Sequence, residues 1–372
     1  MARCICGVPF HPVDAAGRIR DGQGRPAVTV DVHAHVMTPA VDALTRNCPE
    51  RAGEPQARLR TMGQASVDHN AKVMIPAAMP KLTQLEERLA DMDAMGVDVQ
   101  VVSPSPNQYH YWADRELAAE IVRLQNEDIA GIAARAPARI VGLGAIALQH
   151  PELAVEQLRV AVKTLGFRGV EISTTVGGKD LSDPAFNPVW AEAEALGALI
   201  FVHPLGCSLG DRLQPHYLSN TVGQPVETAV ALSHLIFGGV LDRHPGLKIC
   251  AAHGGGYLPT YLGRAGHAWS HRPDAKSMAH PPRWYLDKIW FDSLVYEPDC
   301  LRMLIDQVGA GQVVIGTDYP FDMGFYDIHP MLAQVPGLTD DERAGILGGN
   351  LLRLLGLDPA AFAPADQQET AR

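Results

Sequence analysis

Eight short runs of apolar and β-branched residues punctuate this chain, and between them the apolar residues return with helical spacing. The runs are Val28 to His35, Val97 to Ser103, Ile140 to Leu148, Phe167 to Thr174, Leu199 to Pro204, Lys248 to His253, Ile289 to Val295 and Val313 to Pro320. Helical periodicity occupies Leu82 to Met95, Arg115 to Ala134, Pro151 to Leu165, Ala185 to Leu196, Pro225 to Arg243 and Pro298 to Val308. A last helix is expected over Asp340 to Leu355, where Thr339 and Glu342 are spaced as a capping box that satisfies free amides of the first turn. Strand followed by helix, repeated, calls for parallel strands with crossover helices, and eight repeats close a (β/α)8 TIM barrel. The competing open, doubly wound sheet should carry a Gly-rich phosphate loop after its first strand. Here that strand ends in Val32-His33-Ala34-His35 instead.

A length of 372 residues suits one such barrel, a fold that runs from about 200 to more than 400 residues. The chain divides into an N-terminal arm (1–27), a barrel domain (28–358) and a C-terminal tail (359–372). An insertion at about 36–80 is longer than an ordinary βα loop and is expected to form a small lid over the barrel mouth. The net charge of −11 leaves no general footprint for a phosphate backbone, so no nucleic-acid partner is expected. The longest uncharged run, Ala195 to Gly210, is interrupted by Gly, His and Pro and falls short of a membrane span. With no leader-like apolar stretch in the arm, a soluble cytoplasmic protein is expected. Six scattered cysteines do not make a disulfide framework. Cys4 and Cys6 lack a second pair at zinc-finger spacing and read as part of the arm.

The chemistry lies where the runs end. Residues two apart on a strand face one side, so His33 and His35 offer two imidazoles to one space. His203 ends the fifth run, His253 the sixth and Asp318 the eighth. All would therefore meet at the carboxyl end of the barrel, where such folds place their chemistry. Strand alternation also turns Asp31 inward below the two histidines, either to orient a ligand or as a buried structural carboxylate. By the same alternation Cys250 faces away from His253 and should pack against helices.

Four stretches carry a family resemblance: Asp31-Val32-His33-Ala34-His35, Met92 to Gln100, Leu247 to Gly256 and Gly316-Thr317-Asp318-Tyr319-Pro320-Phe321. In these and in their order the chain, from about Val30 to Leu355, resembles the amidohydrolase superfamily. Within it, the chain is similar to the metal-dependent nonoxidative decarboxylases like aminocarboxymuconate semialdehyde decarboxylase. The resemblance implies that His33, His35, His203 and Asp318 ligate one divalent metal, with His253 beside it as acid/base and Asp318 sharing the proton handling. Such a donor set suits zinc, and manganese accepts the same ligands. Relatives with two metals bridge them through strand four, where Glu171 is the one candidate.

The same resemblance bears on the substrate, a small carboxylic acid. Muconate semialdehyde decarboxylases grip a carboxylate with an arginine from the insertion, yet no arginine occurs between Arg60 and Arg88; Lys72 and Lys81 are imperfect substitutes. Arg264 matches the arginine that these enzymes lend across a dimer interface, which implies a homodimer and makes Arg264 a substrate-carboxylate candidate. From the residues themselves, the loop after strand two brings Asn107, Tyr109, His110, Tyr111 and Trp112 to the mouth, where aromatic rings suit a planar substrate. His216 and Tyr217 follow strand five in the same way. His234 sits in an apolar helix and reads as core. The activity implied is loss of CO2 from a small unsaturated or hydroxyaromatic acid. The alternative is a hydrolase or hydratase that uses metal-activated water on an ester, lactone, amide or unsaturated acid, since the ligands serve both.

Overall fold

Each of the eight apolar runs contains a strand in a computed structural model of the chain, which describes residues 17–362. Cys4, Cys6, most of the expected arm and the tail from residue 363 lie outside the described residues. The strands are β1 (Val30–Val36), β2 (Val99–Pro104), β3 (Ile140–Gly142), β4 (Gly169–Ile172), β5 (Leu199–Val202), β6 (Lys248–Ala251), β7 (Ile289–Asp292) and β8 (Val313–Val314). All their pairings are parallel, β1 to β2 to β3 and β4 through to β8. Bridges from Asp31 to Ile315, from Ala34 to Tyr319 and from Gly144 to Val170 close the two seams into a barrel.

β3 and β8 are the most shortened relative to their apolar runs, and beyond each a side chain takes a backbone amide. Beyond β3, the Ala145 amide donates to Asn126 Oδ1 at 2.7 Å. Beyond β8, the Thr317 amide donates to Asp31 Oδ1 at 3.1 Å. Among the helices, Pro298–Val308 matches its expected bounds. The expected helix Pro225 to Arg243 is divided into Gln224–Phe237 and Val240–Arg243, because Gly238 and Gly239, the latter with φ of 67°, end the first segment. The last helix begins with the Thr339–Glu342 capping box.

The barrel interior is filled by alternate strand residues, among them Val32, Val101, Leu199, Phe201, Cys250 and Val314, and Leu351 and Leu355 of the last helix pack against this cluster. A second apolar layer, including Val102, Ile172, Ile200 and Phe291, joins the strands to the surrounding helices. This sorting corrects two expectations. Cys250 is inside the barrel, because the chain leaves strand geometry at His253 (φ 56°) and parity counted back from that residue fails. Asp31 does not line the site below the histidines, because the β1 register shifts between Asp31 and Ala34. Its carboxylate instead accepts from the His33 amide (3.0 Å), Gln100 Nε2 (3.1 Å) and Thr317 Oγ1 (2.6 Å). Arg88, buried on the helix Leu85–Met95, donates to Gln100 Oε1 at 2.8 Å and so ties that helix to the network.

The insertion after β1 is helical, with Pro39–Thr45, Glu54–His69 and Ile75–Thr83 as its main segments. It reaches the carboxyl-end loops, where His69 Nε2 pairs with Asp322 at 2.9 Å and Gln214 Nε2 donates to the Leu59 carbonyl at 3.0 Å. Among the described residues no helix is long and apolar enough to cross a membrane.

Candidate metal centre

The metal-ligand candidates of the polar layer at the carboxyl end of the barrel come from three strands. β1 supplies His33 and His35, whose rings meet edge to face at 5.1 Å, and the residue after β5 supplies His203, 4.8 Å from His33 and 4.9 Å from His35 by ring centroids. Asp318, in the turn after β8, places Oδ1 at 3.4 Å from both His33 Nε2 and His35 Nε2. One ligand atom from each of these four residues lies within 4.8 Å of the others, and all four are buried. Among the described residues His33 Nε2 and both ring nitrogens of His35 and His203 find no hydrogen-bond partner. Buried polar atoms are ordinarily satisfied. Three neighbouring imidazoles with inward nitrogens unsatisfied, together with a carboxylate, fit a divalent cation whose ligands are neutral nitrogens and an anionic oxygen.

Electrostatics point the same way. Burial, and then the neighbouring imidazoles of His33, His35 and His253, hold His203 well below the usual histidine pKa, so it is neutral and has a lone pair to give. Burial also works against charge on His33, but the Asp318 and Asp292 carboxylates outweigh it and lift that pKa to about 10. At His33, then, the two carboxylates favour positive charge.

Two carboxylates behind the ligands complete the layer. Asp292, at the end of β7, accepts from His33 Nδ1 at 2.7 Å, which turns Nε2 toward the shared centre. Its other oxygen accepts the amide of Gly254 at 2.8 Å, so one residue ties a ligand to the turn that carries His253. The sequence reading missed Asp292, although an acidic residue in the seventh run, at the same end as the other candidates, was the signal. Glu171, inward on β4, accepts from Ser103 Oγ at 2.5 Å and from Tyr109 Oη at 2.6 Å. Each of its oxygens thus accepts one hydroxyl.

His253 sits beside the four, its ring 5.2 Å from His33 and 5.1 Å from His203, with Nε2 4.0 Å from Asp318 Oδ2. The glycines that follow make its turn possible: Gly254, Gly255 and Gly256 all have positive φ, and a Cβ on Gly256 would lie 2.0 Å from the Pro225 carbonyl oxygen. Strain concentrates at this end of the barrel. Among the described residues, the positive-φ residues other than glycine are His110, His216, Tyr217, His253, Tyr296 and Asp318, and each follows the carboxyl end of a strand. Each costs roughly 1–2 kcal/mol, a pattern typical of functional sites. Tyr296 was not among the sequence candidates, and this backbone strain is what marks it.

The expected substrate residues divide. Tyr109 joins the site wall through Glu171, and its ring stacks on Tyr111 at 5.5 Å. Tyr217 and His216 line a cleft with His69 and Asp322, at the junction with the insertion. His110 packs against Trp112 at 5.2 Å; burial, and then Arg51 of the insertion, pushes its pKa down to about 4. Arg264 is exposed on the helix Gly263–His271, so within a single chain it stands apart from the buried cluster. Lys72 pairs with Asp68 and Lys81 with Asp91, so neither is a free cation for a substrate carboxylate.

Comparison with known proteins places this geometry. The family model for amidohydrolases matches residues 30–357. The 2-amino-3-carboxymuconate-6-semialdehyde decarboxylase of Dictyostelium discoideum is 34% identical over 347 residues, which cover 90% of this chain and 94% of that protein. The crystal structure of 5-carboxyvanillate decarboxylase from Sphingomonas paucimobilis superposes with a TM-score of 0.78 at 25% identity, covering 89% of this chain and 100% of that one. The 5-carboxyvanillate decarboxylase of Novosphingobium aromaticivorans, solved with manganese and 4-hydroxy-3-methoxy-5-nitrobenzoic acid, shares the fold with a TM-score of 0.78 at 21% identity, covering 92% of this chain and 100% of that one. The chain belongs to the amidohydrolase superfamily, in its branch of metal-dependent nonoxidative decarboxylases.

Proposed function

We propose that this chain is a carboxy-lyase that removes CO2 from a small aromatic or unsaturated carboxylic acid, with one divalent cation held by His33, His35, His203 and Asp318. The observation that carries the reading is the group of unsatisfied, buried ring nitrogens gathered with Asp318 at the barrel mouth. Zinc suits three imidazoles and a carboxylate, and manganese, the ion in the Novosphingobium structure, accepts the same donors. A cation bound there would supply Lewis acidity toward a substrate oxygen, stabilising the negative charge left on the substrate as CO2 departs.

The chain's own residues handle the rest. When the carbon–carbon bond breaks, its electron pair stays on the substrate carbon and must meet a proton. His253 Nε2 is the donor, and Asp318 Oδ2, 4.0 Å away, stabilises the imidazolium before transfer. Tyr109 and Tyr111, stacked with planes 9° apart, offer flat apolar surface to a planar substrate. The insertion acts as a lid, its helix Glu54–His69 meeting the loops after β5 and β8.

Within the class, the similarity to the Dictyostelium enzyme spans most of both chains, so a carboxymuconate-type semialdehyde heads the candidates. The pairing of Lys72 and Lys81 leaves carboxylate recognition to the cation and to Arg264 of a second copy. We therefore also propose a homodimer. Tyr257 and Tyr261, 46% and 70% exposed, precede Arg264 at helical spacing and give that surface apolar area to bury.

The test is metal-loaded protein incubated with hydroxybenzoates, carboxymuconate-type semialdehydes and unsaturated diacids, following CO2 release and product mass together. Release of CO2 with a product one carboxyl lighter is expected. A product that gains water, or splits into two fragments without CO2, overturns the reading in favour of a hydratase or hydrolase.

A further inference from the structure

The two histidines of β1 are not held alike. His33 Nδ1 donates to Asp292 at 2.7 Å, an ordinary hydrogen bond. His35 presents Nε2 to Asp318 Oδ1 at 3.4 Å, on the side of the shared centre, and its opposite nitrogen, Nδ1, faces Glu171 Oε2 at 3.6 Å. That distance is long for a hydrogen bond but within ion-pair range. Nδ1 has no other partner among the described residues.

Glu171 is 1% exposed, and a buried carboxylate needs donors or a positive neighbour. It has two hydroxyl donors, Ser103 Oγ from β2 and Tyr109 Oη from the loop after β2, one on each oxygen. These bonds fix the carboxylate against rotation while Oε2 faces the imidazole. A ring that gives Nε2 to a cation must carry its proton on Nδ1, and a carboxylate opposite Nδ1 both selects that tautomer and makes Nε2 more basic.

Building on the metal reading above, we propose that Glu171 is the positioning residue of His35: locked by Ser103 and Tyr109, it keeps the proton on Nδ1 and leaves Nε2 free for the cation. Glu171 is then a support for one metal and not the bridge between two. The loop after β2, which carries the aromatic wall, is thereby mechanically joined to the metal centre through the Tyr109 hydroxyl.

The experiment is a titration of metal-stripped protein with Zn2+ or Mn2+ against a chromophoric chelator, for wild type and for E171M, E171Q and Y109F. Thermal melting of each metal-free variant checks the fold. Removing a carboxylate behind a metal-bound histidine weakens affinity by about 10- to 100-fold. E171M, which has no acceptor, should fall at the weak end of that range, E171Q, which loses only the charge, nearer tenfold, and Y109F, which keeps the carboxylate, below that. Nitrogen-15 spectra of the zinc-loaded protein should show the His35 proton on Nδ1 in wild type and a disturbed signal in E171M. Folded E171Q and E171M that bind within twofold of wild type overturn the proposal, as does a stoichiometry of two metals per chain that drops to one in E171Q. If the Glu171 variants do not fold, Y109F decides, and unchanged affinity there counts against the proposal. A wild type that binds one cation but releases no CO2 from any acid removes the proposed function and leaves this inference standing.

Discussion

His33 and His35 come from one strand, two residues apart, yet opposite walls of the barrel hold them. On the β6–β7 wall, Asp292 grips His33 with one oxygen and the Gly254 amide with the other, so one side chain links His33 to the turn bearing His253. On the β2–β4 wall, Glu171 faces His35 across 3.6 Å and is braced by Ser103 and Tyr109. The difference assigns the walls separate duties. Under the proposed function, the first ties His33 to the turn that carries His253, and the second ties His35 to the Tyr109–Tyr111 surface proposed to meet substrate.

The largest effect should come from the first wall. Replacing His253 with Asn is expected to lower turnover by about 10²- to 10⁴-fold, the usual worth of a general acid, with metal content by elemental analysis unchanged. Near-normal turnover would remove His253 from the chemistry. Next, Asp292→Ala should weaken metal affinity by about 10- to 100-fold and also depress kcat after metal is restored to saturation, because the Gly254 amide of the His253 turn loses its acceptor. In E171Q, by contrast, saturating metal should bring kcat back toward wild type. Equal recovery of both variants would erase the distinction between the walls.

A residue on neither wall sharpens the contrast. Arg264→Ala should lower kcat/KM about tenfold or more, the range for a lost charge-assisted hydrogen bond, while metal affinity stays as it was. A monomer by light scattering, or an unchanged kcat/KM, would sink the proposed role across a dimer. The smallest effect belongs to the capping box remote from the site: Thr339→Ala should cost about 1 kcal/mol of stability in denaturant unfolding and change neither metal binding nor kcat. A metal effect there would mean that general destabilisation, and not either wall, governs affinity.

The eight strands were legible because buried parallel strands are nearly continuous apolar runs that little else in a chain imitates. His33, His35, His203, His253 and Asp318 were legible because polar residues at the ends of such runs stand out. The structure gathers them within a few ångströms. Asp31 and Cys250 were placed on the wrong faces for a shared reason. Parity arguments assume an unbroken pleat, and the β1 register shift and the turn at His253 each break it. Asp292 and Glu171 were opaque as partners because their meaning lies in which imidazole nitrogen they face.

Order along the chain dictates how many strands there are and which end of each carries a polar group, since burial selects apolar residues locally and turns interrupt them. It cannot dictate which nitrogen of an imidazole looks inward, or which carboxylate stands behind it. Those outcomes depend on angles and separations between strands far apart in sequence, and hydrogen bonding is sensitive to tenths of an ångström where the hydrophobic pattern is not. The closed barrel, by fixing β4 and β7 on either side of β1's histidines, chose their keepers.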